Sequence, residues 1–268
     1  MFSFPSRHHE LPKSASYTVS FSKPTGLHPT MSISIPHSAL ERPPAPSDAT
    51  CGLHTYLTLP SAIFGDQYQL GTTDPLFLQS HNLVALRALA GETDLEAPDW
   101  VVQKWGSNWL LELATPASDD TKDPASNLTA TIPLHLRYLH PSESGYRSAH
   151  VPWPVVFWAC AEENSSELGF NPFDRTKLGW DGLFGPETMF YQLHPSSEHL
   201  VEDLEVPVLQ LEEGKGLFLA RNIELITCAV ISLGFLWVLW RLLRVALSSG
   251  VSSNGRSGQT DAAHDKKE

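Results

Sequence analysis

The chain has 268 residues and a formal net charge of −12, with no run of basic residues. That balance excludes nucleic acid as a partner, because phosphate binding needs clustered Lys and Arg. The length suffices for one or two domains, and 21 prolines spread between short apolar runs favour extended segments over helices.

The chain opens MFSFPSRHHELPKSASYTVSF, which has no apolar stretch of the kind a secretory signal requires. Residues 1–15 are expected to be disordered. Period-two alternation then marks half-buried strands. Tyr17, Val19 and Phe21 alternate with Thr18 and Ser20, and Met31, Ile33 and Ile35 alternate with Ser32 and Ser34. A proline-rich link, ERPPAPSD, separates these from Leu53, Thr55, Leu57 and Leu59. The segment from Leu83 to Ala90 is the best helix candidate, although its length suits a strand equally. Trp109, Leu111 and Leu113 share one strand face. ATPASDDTKDPASN is a polar loop ending at the sequon Asn127-Leu128-Thr129. A second sequon starts at Asn164. Both are candidate glycosylation sites.

The cleanest predicted strand runs from Ala130 to Tyr138. Ala130, Ile132, Leu134, Leu136 and Tyr138 lie on one face, with Thr131, Pro133, His135 and Arg137 on the other. Pro133 has no N–H for a ladder, so this strand belongs at an edge or carries a bulge there. Val155 to Cys160 reads as a strand buried on both sides, and Met189–Leu193 and Val206–Leu211 could close the sheet. Strands dominate, so an all-β, sandwich-like domain is expected over 16–211, with a linker over 212–222.

Leu225 to Trp240 contains no charged residue and is apolar on every face. A helix over it covers about 24 Å, and about 28 Å if the span runs on to Leu243, against a hydrocarbon core of about 30 Å. A single transmembrane helix is therefore expected over 223–243, in contact with membrane lipid. Arg241, Arg244, Arg256, Lys266 and Lys267 follow it. The positive-inside rule then makes 244–268 a short cytosolic tail, disordered by its Ser, Gly and charge content, and puts the N-terminal domain on the luminal side. Lys266 and Lys267 sit one place too close to the end for a dilysine retrieval signal. A translocated domain without an apolar leader implies either that residues precede this chain or that insertion uses no cleaved signal.

Chemistry is sparse. No G-x-G-x-x-G, P-loop, G-x-S-x-G, H-E-x-x-H or paired C-x-x-C is present, so neither a catalytic set nor a cofactor is expected. Asp203-Leu204-Glu205 is the nearest approach to an Asp-x-Asp metal pair and reads as a solvated face. Two acidic clusters, Glu92/Asp94/Glu96 and Asp119/Asp120/Asp123, read as solvated loops rather than Ca²⁺ sites. Cys228 falls in the span. Cys51 and Cys160 allow one pairing in an oxidising compartment, and otherwise stand as two buried thiols. His135, Arg137 and Tyr138 are the candidate partner face, since Arg and aromatic side chains are enriched at interfaces.

The stretch LHLRYLHPSESGYRSAHVPWPVVFWAC carries a resemblance. His135, Leu136, Arg137, Tyr138 and Pro141, followed by Pro154 and Cys160, resemble the PIG-X family pattern. Leu59, Pro60, Asp66, Tyr68 and Leu70 resemble its upstream segment. The likeness covers 16–211 and the span, and the chain is short at its N-terminus for a fungal member. The resemblance implies a non-catalytic subunit in the endoplasmic reticulum membrane. Its partner would be the polytopic mannosyltransferase that adds the first mannose in glycosylphosphatidylinositol (GPI) anchor synthesis, a catalytic subunit that it stabilises. Two other readings share this architecture: a single-span luminal glycosidase, which needs two carboxylates about 5–10 Å apart, and a chaperone- or receptor-like ectodomain.

Overall fold

A computed structural model describes residues 9–23, 26–45, 47–102, 105–115, 127–161, 171–174, 176–210 and 220–251. The chain divides into two compact units, Met1–Leu209 and Gln210–Glu268. The first unit begins with β1 (His9–Glu10), β2 (Ser16–Phe21), β3 (Thr30–Ile35), β4 (Thr50–Pro60) and β5 (Ile63–Phe64). Two short helices follow, α1 (Gln67–Leu70) and α2 (Pro75–Ser80), then β6 (Leu83–Gly91), β7 (Gly106–Leu113), β8 (Leu128–Pro133) and β9 (His135–Leu136). β10 (Tyr146–Pro152), β11 (Val155–Ala161), β12 (Thr188–Gln192), β13 (His194–Pro195) and β14 (Val201–Pro207) complete it. The second unit holds α3 (Ala220–Val251).

The fold is mostly β, as expected. A six-stranded sheet has the order β1-β12-β11-β4-β7-β6, and a four-stranded sheet has the order β13-β2-β3-β8. The alternating residues of both sheets meet in one apolar core. Tyr17, Val19, Met31, Ile33 and Ile35 come from one side, and Leu53, Leu57, Trp109, Leu111 and Trp158 from the other. Each such side chain contributes roughly 1.5–3 kcal/mol by leaving water. The outer face of the six-stranded sheet is buried too. Tyr56, Leu110, Phe157 and Phe190 pack there under Phe173, Trp180 and Phe184, which explains why Val155 to Cys160 reads as apolar on both faces.

β6 settles the Leu83–Ala90 ambiguity in favour of a strand. Its pairing with β7 slips between Leu83 and Ala85 and again between Leu86 and Ala88. Each bulge inserts one residue, so Leu83, Leu86 and Leu89 all fall opposite core-facing residues of β7: Leu113, Leu111 and Trp109. The resulting three-residue spacing imitates a helix.

Other boundaries move. The predicted Ala130–Tyr138 strand is two elements. β8 pairs with β3 at the sheet edge, where Pro133 is tolerated, and β9 pairs with β5. After Leu136 the alternation breaks, so Arg137 is buried and Tyr138 is exposed. Val206 and Leu204 belong to a strand that starts at Val201 and pairs with β10 in a separate two-stranded sheet, not with the main one. Residues 9–15, expected to be disordered, are ordered: His9–Glu10 runs parallel to Tyr191–Gln192, and Leu11 and Ala15 are buried.

α3 extends past the expected end at residue 243 to Val251. Its segment Asn222–Leu247 is long and apolar enough to cross a membrane. The guanidinium of Arg244 lies 4.3 Å from the centre of the Trp240 ring, a pairing suited to the interface where aromatic and basic side chains gather. The second sequon at Asn164, the Asp119/Asp120/Asp123 cluster, most of the 212–222 linker and Lys266/Lys267 lie outside the described residues.

Candidate functional site

The structure divides the His135, Arg137 and Tyr138 trio. β9 ends at Leu136, and the Arg137 N–H donates to Ala62 O at 2.8 Å, which turns the next side chains round. Arg137 is only 3% exposed. Its Nη1 donates to Ala97 O at 2.8 Å and its guanidinium lies 4.4 Å over the Phe64 ring. Burial lowers its pKa, opposed by the carboxylates of Glu92, Asp94 and Asp99. The acidic loop thus serves as a counter-charge to a buried cation. Glu92 Oε1 also accepts the N–H groups of Thr93 and Asp94, and Asp94 Oδ1 those of Glu96 and Ala97. These oxygens hold the loop together. Arg137 is therefore not presented to a partner, which corrects its place in the candidate face.

His135 is half-buried. Its Nδ1 lies 2.9 Å from His28 Nδ1, and its ring stacks on Phe64 at 5.3 Å. Burial lowers its pKa and His28 lowers it further, against a raising influence from Asp66. Asp66 caps α1, accepting from Tyr68 N and Gln69 N. The Leu59–Leu70 segment singled out in the sequence is thus a strand end, a capped turn of helix and a core anchor, Leu70.

Tyr138 alone of the three is open. It lines a groove of about 490 Å³ with Leu27, Trp100, Leu139, Pro207 and Leu209, over the buried Arg137. The Trp100 ring stacks on His140 at 4.7 Å. The sequence reading missed Leu27, Trp100 and Leu209. A tryptophan in the polar segment APDWV was the available signal.

A second concavity of about 380 Å³ opens on the outer face of the six-stranded sheet, lined by His54, Arg87, Glu112, Phe184 and Thr188. Arg87 and Glu112 form an ion pair across β6 and β7. The His54 ring stacks on Phe157 at 5.6 Å and its Nδ1 lies 3.0 Å from Gly52 O. Burial holds its pKa down, partly offset by Glu112 and the Gly52 contact, with Arg87 lowering it again. Among the described residues the lining holds a single carboxylate, tied to Arg87, where glycoside hydrolysis needs two. Among the described residues, no group of three or more His, Cys, Asp or Glu could hold a metal ion.

Cys51 and Cys160 are direct neighbours across β4 and β11, and their sulfurs are bonded at 2.09 Å. Asn127 is exposed just before β8. Asp203 is exposed and its Oδ1 lies 2.5 Å from His150 Nδ1 across β10 and β14, so Asp203-Leu204-Glu205 is a strand face with Leu204 in the core.

These elements lie within a matched family region. The family model described as PIG-X / PBN1 matches residues 24–243, from just after β2 to well inside α3. The chain belongs to the PIG-X / PBN1 family. It is 68% identical over 257 residues to Protein pbn1 of Aspergillus oryzae, an alignment covering 96% of this chain and 47% of the relative. Against Protein pbn1 of Aspergillus fumigatus the identity is 64%, covering 100% and 55%. Against Protein pbn1 of Neurospora crassa it is 42%, covering 93% and 47%. The chain thus spans about half the length of these PIG-X / PBN1 relatives.

Proposed function

We propose that this chain forms part of a non-catalytic, stabilising subunit of the mannosyltransferase complex that adds the first mannose to the GPI precursor in the endoplasmic reticulum. Family membership over residues 24–243 carries this reading and supports a part in GPI-anchor biosynthesis. The β-domain lies in the lumen, bears a glycan at Asn127, and contacts the luminal loops of a polytopic catalytic subunit. α3 packs beside that subunit's helices. Gly234 carries no side chain, so a neighbouring helix can approach the backbone of α3 closely there. The one candidate span among the described residues cannot by itself enclose a lipid-linked sugar donor, so in this reading the membrane-embedded chemistry falls to the partner. Binding stabilises the partner by mass action, since contacts made only with its folded form withdraw it from unfolding and degradation.

Depletion of this protein tests the reading. The steady-state level of the catalytic subunit should fall, and the unmannosylated GPI precursor should accumulate. An unchanged enzyme level with unchanged precursor would sink the proposal, and would leave a free-standing luminal binding protein as the reading to pursue.

A further inference from the structure

The groove around Tyr138 stands apart from the rest of the domain surface in its chemistry. Tyr138 is 73% exposed, Trp100 51%, Leu27 42% and Leu209 40%. The charged side chain that lines it, Arg137, is turned inward onto Ala97 O and Phe64. A largely apolar, aromatic-lined patch is notable on a chain of net charge −12. Its position also matters. Leu209 is both a wall of the groove and the last residue of the first compact unit. The span-length segment of α3 begins at Asn222. The chain between them, fully extended, reaches no more than about 45 Å. The groove is therefore tethered within reach of any bilayer that α3 crosses. Trp and Tyr favour the headgroup level of a membrane, where the ring is shielded and the polar tip stays wet.

We propose that this groove is a membrane-contacting face, with Trp100, Tyr138, Leu27 and Leu209 seated in the interfacial layer of neutral, zwitterionic phospholipid. It rests on α3 crossing a membrane and is independent of which enzyme the protein serves. Neutral lipid is the matching chemistry because Arg137 is buried beneath the groove, the exposed Arg147 at its rim is held on His140 O and Pro141 O, and the acidic chain as a whole repels anionic headgroups. Seating the domain this way fixes its tilt over the bilayer and leaves its remaining surface for a protein partner.

The test uses the whole 268-residue chain, alone, in phosphatidylcholine nanodiscs. In a Cys228→Ala background, Tyr138→Cys carries an environment-sensitive fluorophore. Trp100→Cys serves as a second groove position, and Leu76→Cys, on an exposed residue outside the groove, as the control. The groove labels should emit further to the blue than the control. They should be quenched several-fold more by lipid bearing a shallow spin label, with no dependence on salt. Quenching equal to that at position 76 would overturn the proposal. So would quenching that requires phosphatidylserine and vanishes at high salt. Protection of the groove labels only on co-reconstitution with a second membrane protein would also overturn it, by assigning the groove to a protein partner. Because the nanodisc contains no mannosyltransferase, the result stands whatever depletion shows.

Discussion

Removing the Arg137 guanidinium leaves Glu92, Asp94 and Asp99 beside one another without their counter-charge, and leaves Ala97 O without its donor. Deleting a buried charged donor leaves its acceptor unsatisfied and also removes its contact with the Phe64 ring. Arg137→Met should therefore lower the unfolding free energy by about 2–4 kcal/mol, read from the urea midpoint at constant slope. Partner binding should suffer only through that loss of stability, since the side chain faces inward. His54 and His135 make a second prediction. Both imidazoles are disfavoured as cations inside the fold, chiefly by burial. Each binds a proton less readily folded than unfolded, so stability is full above the ordinary histidine value of 6.5 and falls as pH drops through it. Denaturation midpoints measured from pH 7.5 down to 5.5 should decline, and His54→Gln should flatten part of that decline. The buried Arg137 was not legible in the sequence. Strict alternation puts it on the solvent side with His135, and only the turn after Leu136 brings it in.

Among the elements, β4 and β11 are central strands of the six-stranded sheet and carry the Cys51–Cys160 bond. The bond closes a loop of 109 residues. By the loop-entropy account, a closure of that size stabilises by about 4–5 kcal/mol. Replacing both cysteines by alanine should remove most of this, seen as a lower thermal midpoint and a gain in protease sensitivity. Pairwise alternation made β2, β3, β4 and β7 readable, because each has one face in the shared core. It failed where geometry departs from a simple ladder. The bulges of β6 convert a period of two into one of three. The capped turns α1 and α2 are too short to show a helical period, although Asp66 and the Asp74-Pro75 pair are recognisable helix starts. The groove was hidden for a related reason: Leu27, Trp100, Tyr138 and Leu209 are scattered along the chain and meet only through loops.

For the whole molecule, the decisive physical contrast is between the β-domain, with its core closed by two sheets, and α3, whose described side chains from 223 to 247 are exposed. The orientation proposed for these parts makes a direct prediction. Asn127 is exposed just before an edge strand. Treatment with an N-glycosidase should increase the electrophoretic mobility of the protein, and Asn127→Gln should abolish that part of the shift. A mobility untouched by the enzyme in both the parent and a variant lacking only the second sequon would remove the glycan from the orientation argument. The long apolar helix and the mostly-β class were readable because each rests on composition summed over many residues. Family membership was readable from a few spaced side chains.

The order in which the chain is made has a cost written into the sheets. β1 lies parallel to β12, and β2 is parallel to β13, so the earliest strands wait for the last. At roughly 5–20 residues per second of synthesis, β1 and β2 stay without these partners for roughly ten to forty seconds. β4 meanwhile lacks β11, and Cys51 lacks the thiol it will join. A topology dominated by such distant pairings folds slowly and exposes apolar edges while it does so. The unpaired edges of the nascent domain are thus open to mispairing until its later strands emerge.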